Sequence, residues 1–157
     1  MGIATHLGPW LLGTNRYTTG TTAATTRNTG ATQVAQTKVV NFDDVDASNA
    51  FVIPAGSLIL GFKIITTTTF DQATTVTLSL GGTAITGALT VTSPGVYSFV
   101  AATTEAAAAL FANSGTTDKF VTYTVAQGTS TAGIGTLVGE YVVRNEDGTM
   151  YQSAQQV

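Results

Sequence analysis

From residue 33 onward, apolar and polar side chains alternate along the chain, and a period of two marks half-buried strands. Val34, Val40 and Phe42 share one parity, with Lys38 the exception among them. Phe51-Val-Ile53 reads as a short strand that ends in the turn Pro54-Ala-Gly-Ser57, where Gly56 can adopt a positive φ. Leu58, Leu60, Phe62 and Ile64 alternate with Ile59, Gly61, Lys63 and Ile65, so the first four form the expected apolar face, and Thr66–Thr69 extends the strand. The cleanest alternation is Val76, Leu78 and Leu80 against Thr75, Thr77 and Ser79. Gly81-Gly82 then fits a two-residue hairpin with positive φ at both positions. The return strand, Ala84 to Thr92, is interrupted at Gly87. Ser93-Pro94-Gly95 is a further turn, and Val96–Ala101 a further strand.

One helix interrupts the pattern. Thr103-Thr104-Glu105 opens the alanine run Ala106–Ala112, with a threonine hydroxyl to cap it and Asn113 or Gly115 to end it. Leu110 and Phe111 are its anchors. Two strands follow: Val121, Tyr123 and Val125 line one face of the first, and Leu137, Tyr141 and Val143 one face of the second, with Glu140 and Arg144 opposite. About eight short strands with frequent turns define an all-β sandwich with one short helix. Jelly roll is the leading topology, and strand order in the sequence leaves an immunoglobulin-like sandwich open.

Residues 1–32 lack this alternation and read as an extended N-terminal arm, with the sandwich over 33–157. Leu7-Gly-Pro-Trp-Leu-Leu12 is a compact apolar group, but no large apolar residue lies between Thr18 and Thr32. Ordering a residue's backbone costs about 1–2 kcal/mol, so such a stretch needs a surface to lie against. Fully extended, residues 14–32 span roughly 60 Å. Interfaces are enriched in Trp, Tyr and Arg beside large apolar anchors, which makes Trp10, Leu11, Leu12, Tyr17 and Arg27, all outside the periodic domain, the candidate partner-binding residues. Trp10 has an alternative fate as a plug folded back on its own sandwich.

Composition sharpens this picture. Of the 157 residues, 43% are hydrophobic and only 10% are charged, and 32 threonines supply the missing polarity. Threonine is β-branched and favours extended backbone while keeping a hydroxyl for water. A chain with so little charge does little to hold neighbours off. With no cysteine, disulfides, thiolate metal sites and thiol catalysis are excluded. Six basic residues and a net charge of −3 provide no cationic groove, so nucleic acid is not expected as a partner. Nor is a membrane: no segment approaches the roughly 18 apolar residues of a span, and the opening residues lack an export signal.

Candidate chemistry is sparse. His6 has neither nucleophile nor orienting carboxylate near it in the sequence and reads as a surface or interface histidine. Asp43, Asp44 and Asp46 offer hard oxygen ligands, but without the glycine and glutamate of a calcium loop they read as a solvated acidic turn. Gly133-Ile-Gly135 precedes a strand and lacks a third glycine, so it serves a turn and not a phosphate. The remaining carboxylates are scattered. No catalytic residue, metal site or cofactor is expected, and the chain reads as a non-enzyme.

Several phrases carry a resemblance. Gly8-Pro-Trp-Leu-Leu-Gly-Thr14, Thr19-Gly-Thr-Thr22, Arg27-Asn28 with Gly30-Ala31, Val52-Ile-Pro-Ala-Gly-Ser-Leu-Ile59 and Glu140-Tyr-Val-Val-Arg-Asn145 with Asp147-Gly148 resemble small virion structural proteins of tailed bacteriophages. The resemblance implies a head decoration, or cement, protein. Such a protein is made in the host cytoplasm and binds the capsid exterior, commonly as a homotrimer of β-sandwiches, with the major capsid protein as partner. An alternative within the same virion is a host-recognition or carbohydrate-binding module of a fibre or tail. A depolymerase is the third reading, and it finds no acid pair or nucleophile constellation in the sequence.

Overall fold

The structure, a computed structural model, describes residues 33–44 and 47–143. The arm 1–32, with Trp10, Leu11, Leu12, Tyr17, Arg27 and His6, lies outside the described residues, as do Asp46 and Arg144. Among the described residues, nine strands and one helix follow in order: β1 (Gln33–Asn41), β2 (Ser48–Ile53), β3 (Leu58–Thr68), β4 (Thr74–Leu80), β5 (Thr83–Ala84), β6 (Leu89–Val91), β7 (Gly95–Ser98), α1 (Glu105–Ala112), β8 (Lys119–Ala126) and β9 (Ile134–Val142).

The pairing is nested. β1 lies antiparallel to β9, β2 to β8, β3 to β7, and β4 to both β5 and β6. The nine strands therefore form one long hairpin, and rolling it brings β9 against β3 and β8 against β4. Two sheets result, β1-β9-β3-β7 and β2-β8-β4-β5, with β6 beside β5 on the same edge of β4. Here the first strand pairs with the last, which is the jelly-roll order. An immunoglobulin-like sandwich would instead group its first, second, fifth and fourth strands.

Local chemistry explains the turns. Gly81 and Gly82 have φ of 56° and 86° and close the two-residue β4–β5 hairpin, where Leu80 opposes Thr83. The expected return strand is present but broken. Between β5 and β6, Thr86 turns its hydroxyl to accept from the Leu78 amide at 3.0 Å, and the Ile85 carbonyl accepts from Ala102. α1 starts where the sequence places it: the Thr104 hydroxyl accepts from the Ala107 amide at 3.2 Å. The Phe111 ring meets Phe62 edge-on at 6.0 Å, which seats the helix on β3.

Between the sheets, Val34, Val40, Ile59, Phe62, Ile64, Leu137 and Tyr141 face Phe51, Ile53, Val76, Leu78, Leu80, Val121, Tyr123 and Val125 in one core. Gly139 on β9 makes room for it. The Phe51 and Phe62 rings stack at 6.4 Å above this position, and a Cβ there would run into both.

One expectation is corrected. Leu60 does not share a face with Phe62 and Ile64; Ile59 is the buried residue, and Leu60 is exposed. The cause is a β-bulge. Ile59 opposes Tyr141 and Gly61 opposes Glu140, which leaves Leu60 as an extra residue that reverses the parity of the strand's start. The strand over 96–101 is also shorter than expected, ending at Ser98.

Candidate functional site

The outward side chains of the β1-β9-β3-β7 sheet follow from its register. Leu137, Gly139 and Tyr141 point inward, so Ile134, Thr136, Val138 and Glu140 point out. Thr136 lies opposite Val39 on one side and Ile65 on the other, and Ile65 lies opposite Val96. One row, Val39–Thr136–Ile65–Val96, therefore crosses all four strands. Its apolar members are 53%, 40% and 67% exposed in that order, omitting Thr136, and Ile134 at 42% flanks the row. The next row, Thr37–Val138–Lys63–Ser98, is also almost uncharged.

Lys63 and Glu140 supply the charge on these four strands' outer face, and they pair at 3.0 Å. Both remain partly exposed, so the pair contributes a fraction of a kcal/mol and chiefly neutralises the surface. Exposed β-branched side chains in a continuous band across a sheet are costly to leave in water, and such bands mark interaction sites.

Polar constellations elsewhere act as fasteners. Asp71, between β3 and β4, accepts from the Ser130 hydroxyl at 2.5 Å, from the Thr131 hydroxyl at 2.6 Å and from the Thr131 and Ala132 amides. These bonds, led by that from Ser130, hold its carboxyl well below the usual carboxylate range. The contact ties the β3–β4 loop to the β8–β9 loop. Asp44 accepts from the Asn41 amide at 2.9 Å and the Tyr123 hydroxyl at 2.8 Å, so part of the acidic turn is a clasp. Burial, reinforced by Asp44, pushes the Tyr123 hydroxyl up to about 12. Burial likewise pushes Tyr141 up to about 12, while Gln36 donates to its hydroxyl at 2.5 Å and to the Val52 carbonyl at 2.9 Å.

Among the described residues, no three of His, Cys, Asp and Glu are grouped to hold a metal ion. Among the same residues, no helix is long and apolar enough to cross a membrane. The five sequence-predicted partner-binding residues, Trp10, Leu11, Leu12, Tyr17 and Arg27, are all in the arm, outside the described residues. Residues that sequence reasoning missed are those of the outer row, Val39, Ile65 and Val96. A signal was present in β3: Ile59 and Ile65 stand at alternating positions that had to face away from Phe62. The bulge alone removes Ile59 from that set.

No family model matches the chain, and no curated protein matches its sequence. The chain is similar in outline to a chain of the "Acidic stable capsid structure of Helicobacter pylori bacteriophage KHP30", at 13% sequence identity and a TM-score of 0.48, covering 71% of this chain and 87% of that one. A likeness this loose bears on neither ancestry nor activity.

Proposed function

We propose that the chain is a structural component of a tailed-phage virion, a decoration protein that binds the outer surface of the head and ties neighbouring capsomers together. The observation that carries the reading is the outer face of the β1-β9-β3-β7 sheet, a band of Val, Ile and Thr neutral across all four strands. That surface suits docking on flat polypeptide. The phrases at 8–14, 52–59 and 140–148 support the same reading by their resemblance to small virion proteins. The major capsid protein is the partner, and three copies form the working unit.

Mechanistically, the role needs differential binding and no chemistry. A decoration protein stabilises the expanded shell only by as much as it prefers that shell to the unexpanded one. A patch of about 800 Å² per partner gives ordinary affinity. Three linked patches, each helped by an arm anchored through Trp10, Leu11, Leu12 and Tyr17, gain avidity through effective concentration.

The test is loading of the purified chain onto expanded, undecorated heads, read by sedimentation and stoichiometry. Saturation at a ratio that follows the number of capsomers is expected, and removal of residues 1–32 abolishes it while leaving the sandwich folded. Binding at a single vertex or to the tail, or capture of glycans by the isolated chain, would overturn the reading in favour of a host-recognition module. Because few charges are involved, raising salt to molar concentration leaves loading nearly unchanged.

A further inference from the structure

The neutral face and the apolar group of the arm have matching chemistry and a matching separation. Gln33, the first residue of β1, opposes Val142 at one end of the sheet's edge, so the preceding chain leaves from a corner of this face. From Gln33 to Val39 is six residues of strand, about 20 Å, and two strand spacings carry the row on to Ile65, which lies about 22 Å from the corner. Trp10 lies twenty-three positions before Gln33. An unstructured chain of that length has a root-mean-square span of about 26 Å. Effective concentration is greatest when a linker's span equals the distance it must cover. The segment Leu7–Leu12 carries no charge and, extended, is about 20 Å long, enough to lie along the row Val39–Ile65–Val96.

From this match we infer that, in the free protein, the outer face of the β1-β9-β3-β7 sheet is the seat of the chain's own Leu7–Leu12 segment. Docking within one chain covers the exposed valines and isoleucine and shelters Trp10 at the same time. It keeps free copies apart despite their low charge. On a head, the lattice competes for both partners of this contact, which is the one respect in which the inference rests on the proposed function.

The chain has no cysteine, so introduced thiols report the contact cleanly. Gly13→Cys combined with Thr136→Cys places one thiol beside the apolar group and one in the middle of the row; Gly13→Cys with Thr124→Cys, on the outer face of the opposite sheet, is the control. Under mild oxidation of dilute protein, the first pair closes an internal disulfide at least ten-fold faster than the control, read by mass spectrometry and non-reducing gels. Adding Ile65→Lys lowers that rate to the control's. Equal rates for the two pairs would overturn the inference, as would covalent dimers in place of the internal bridge. Neither result alters whether the unmodified chain loads onto heads, so the two readings fail separately.

Discussion

The two outer faces of this sandwich are built from strands with the same alternation, yet they present different chemistry. On the β2-β8-β4-β5 sheet the outward pairs are Thr77 with Thr124, Ser79 with Thr122 and Thr75 with Thr90. Hydroxyls cover that surface, and Phe120 is its one exposed large apolar side chain among the described residues. The opposite sheet presents Val39, Ile65, Val96, Ile134 and Val138 on the corresponding positions. Both faces avoid net charge, one through hydroxyls and the other through β-branched hydrocarbon and a single ion pair. Threonine and valine have nearly the same shape and the same preference for strands, so folding does not require the difference. Folding leaves that difference free, and the proposed function puts it to use.

The largest effect separates inside from outside on one strand. Ile64 is fully buried and its neighbour Ile65 is exposed. Ile64→Ala should cost about 2–5 kcal/mol in urea denaturation, the range for large-to-small core changes. Ile65→Ala, which loses only contact with the docked Leu7–Leu12 segment, should cost about 1 kcal/mol or less. Comparable losses at the two positions would mean that Ile65 is packed as tightly as the core, beyond what a docked Leu7–Leu12 segment supplies.

Next comes a contrast between the faces. Ile65→Lys should weaken head loading by about 30-fold or more, equivalent to about 2 kcal/mol at a central contact. Thr124→Lys, on the other face, should leave loading unchanged. Equal losses would erase the functional distinction drawn between the sheets.

A smaller effect concerns two buried tyrosines, Tyr141 on β9 and Tyr123 on β8. Tyr141 and Tyr123 titrate near 12 in the folded protein, above the ordinary value of about 10. Their neutral forms favour folding, so that stability is fully present below about pH 10 and is lost as pH rises from there toward 12. Tyr97, whose hydroxyl is held by Ser93, ionises below the ordinary value. An absorbance titration compared with that of Tyr97→Phe should therefore assign Tyr97 a transition below those of Tyr123 and Tyr141, which ionise with alkaline unfolding.

The smallest effect is at the Asp71 clasp. Its lowered carboxyl stabilises the fold above the unfolded pKa, about 3.9, and that contribution fades as pH falls below it. Asp71→Asn should lower the melting temperature slightly at pH 7 and flatten its dependence on acid. An unchanged acid profile would assign the slope to other carboxylates.

Much of this architecture is legible in the sequence because it depends on local rules. Alternation along Thr75–Leu80 is sufficient to define β4, Gly81-Gly82 to define its hairpin, and Thr104 with the alanine run to define α1. Other features are not local. The bulge at Leu60 arises from how β3 registers against β9, strands some seventy residues apart, and it reverses which of Ile59 and Leu60 is buried. The break between β5 and β6 depends on Ala101 and Ala102 arriving beside Ile85 and Thr86. Asp71 looks solitary until the β8–β9 loop brings Ser130 and Thr131 to it.

By itself, then, the sequence determined the all-β class, the turns, the helix and the scarcity of charge, because period, glycine conformation and composition act over a few residues. It determined the apolar group at Leu7–Leu12 as well. Tertiary structure alone decided that the hairpin rolls with its first strand against its last. That closure aligns Val39, Ile65 and Val96, single residues from three distant segments, into one row across a sheet. Side chains so far apart become neighbours only through the register of backbone hydrogen bonds between strands, and no pattern within any one strand encodes that register.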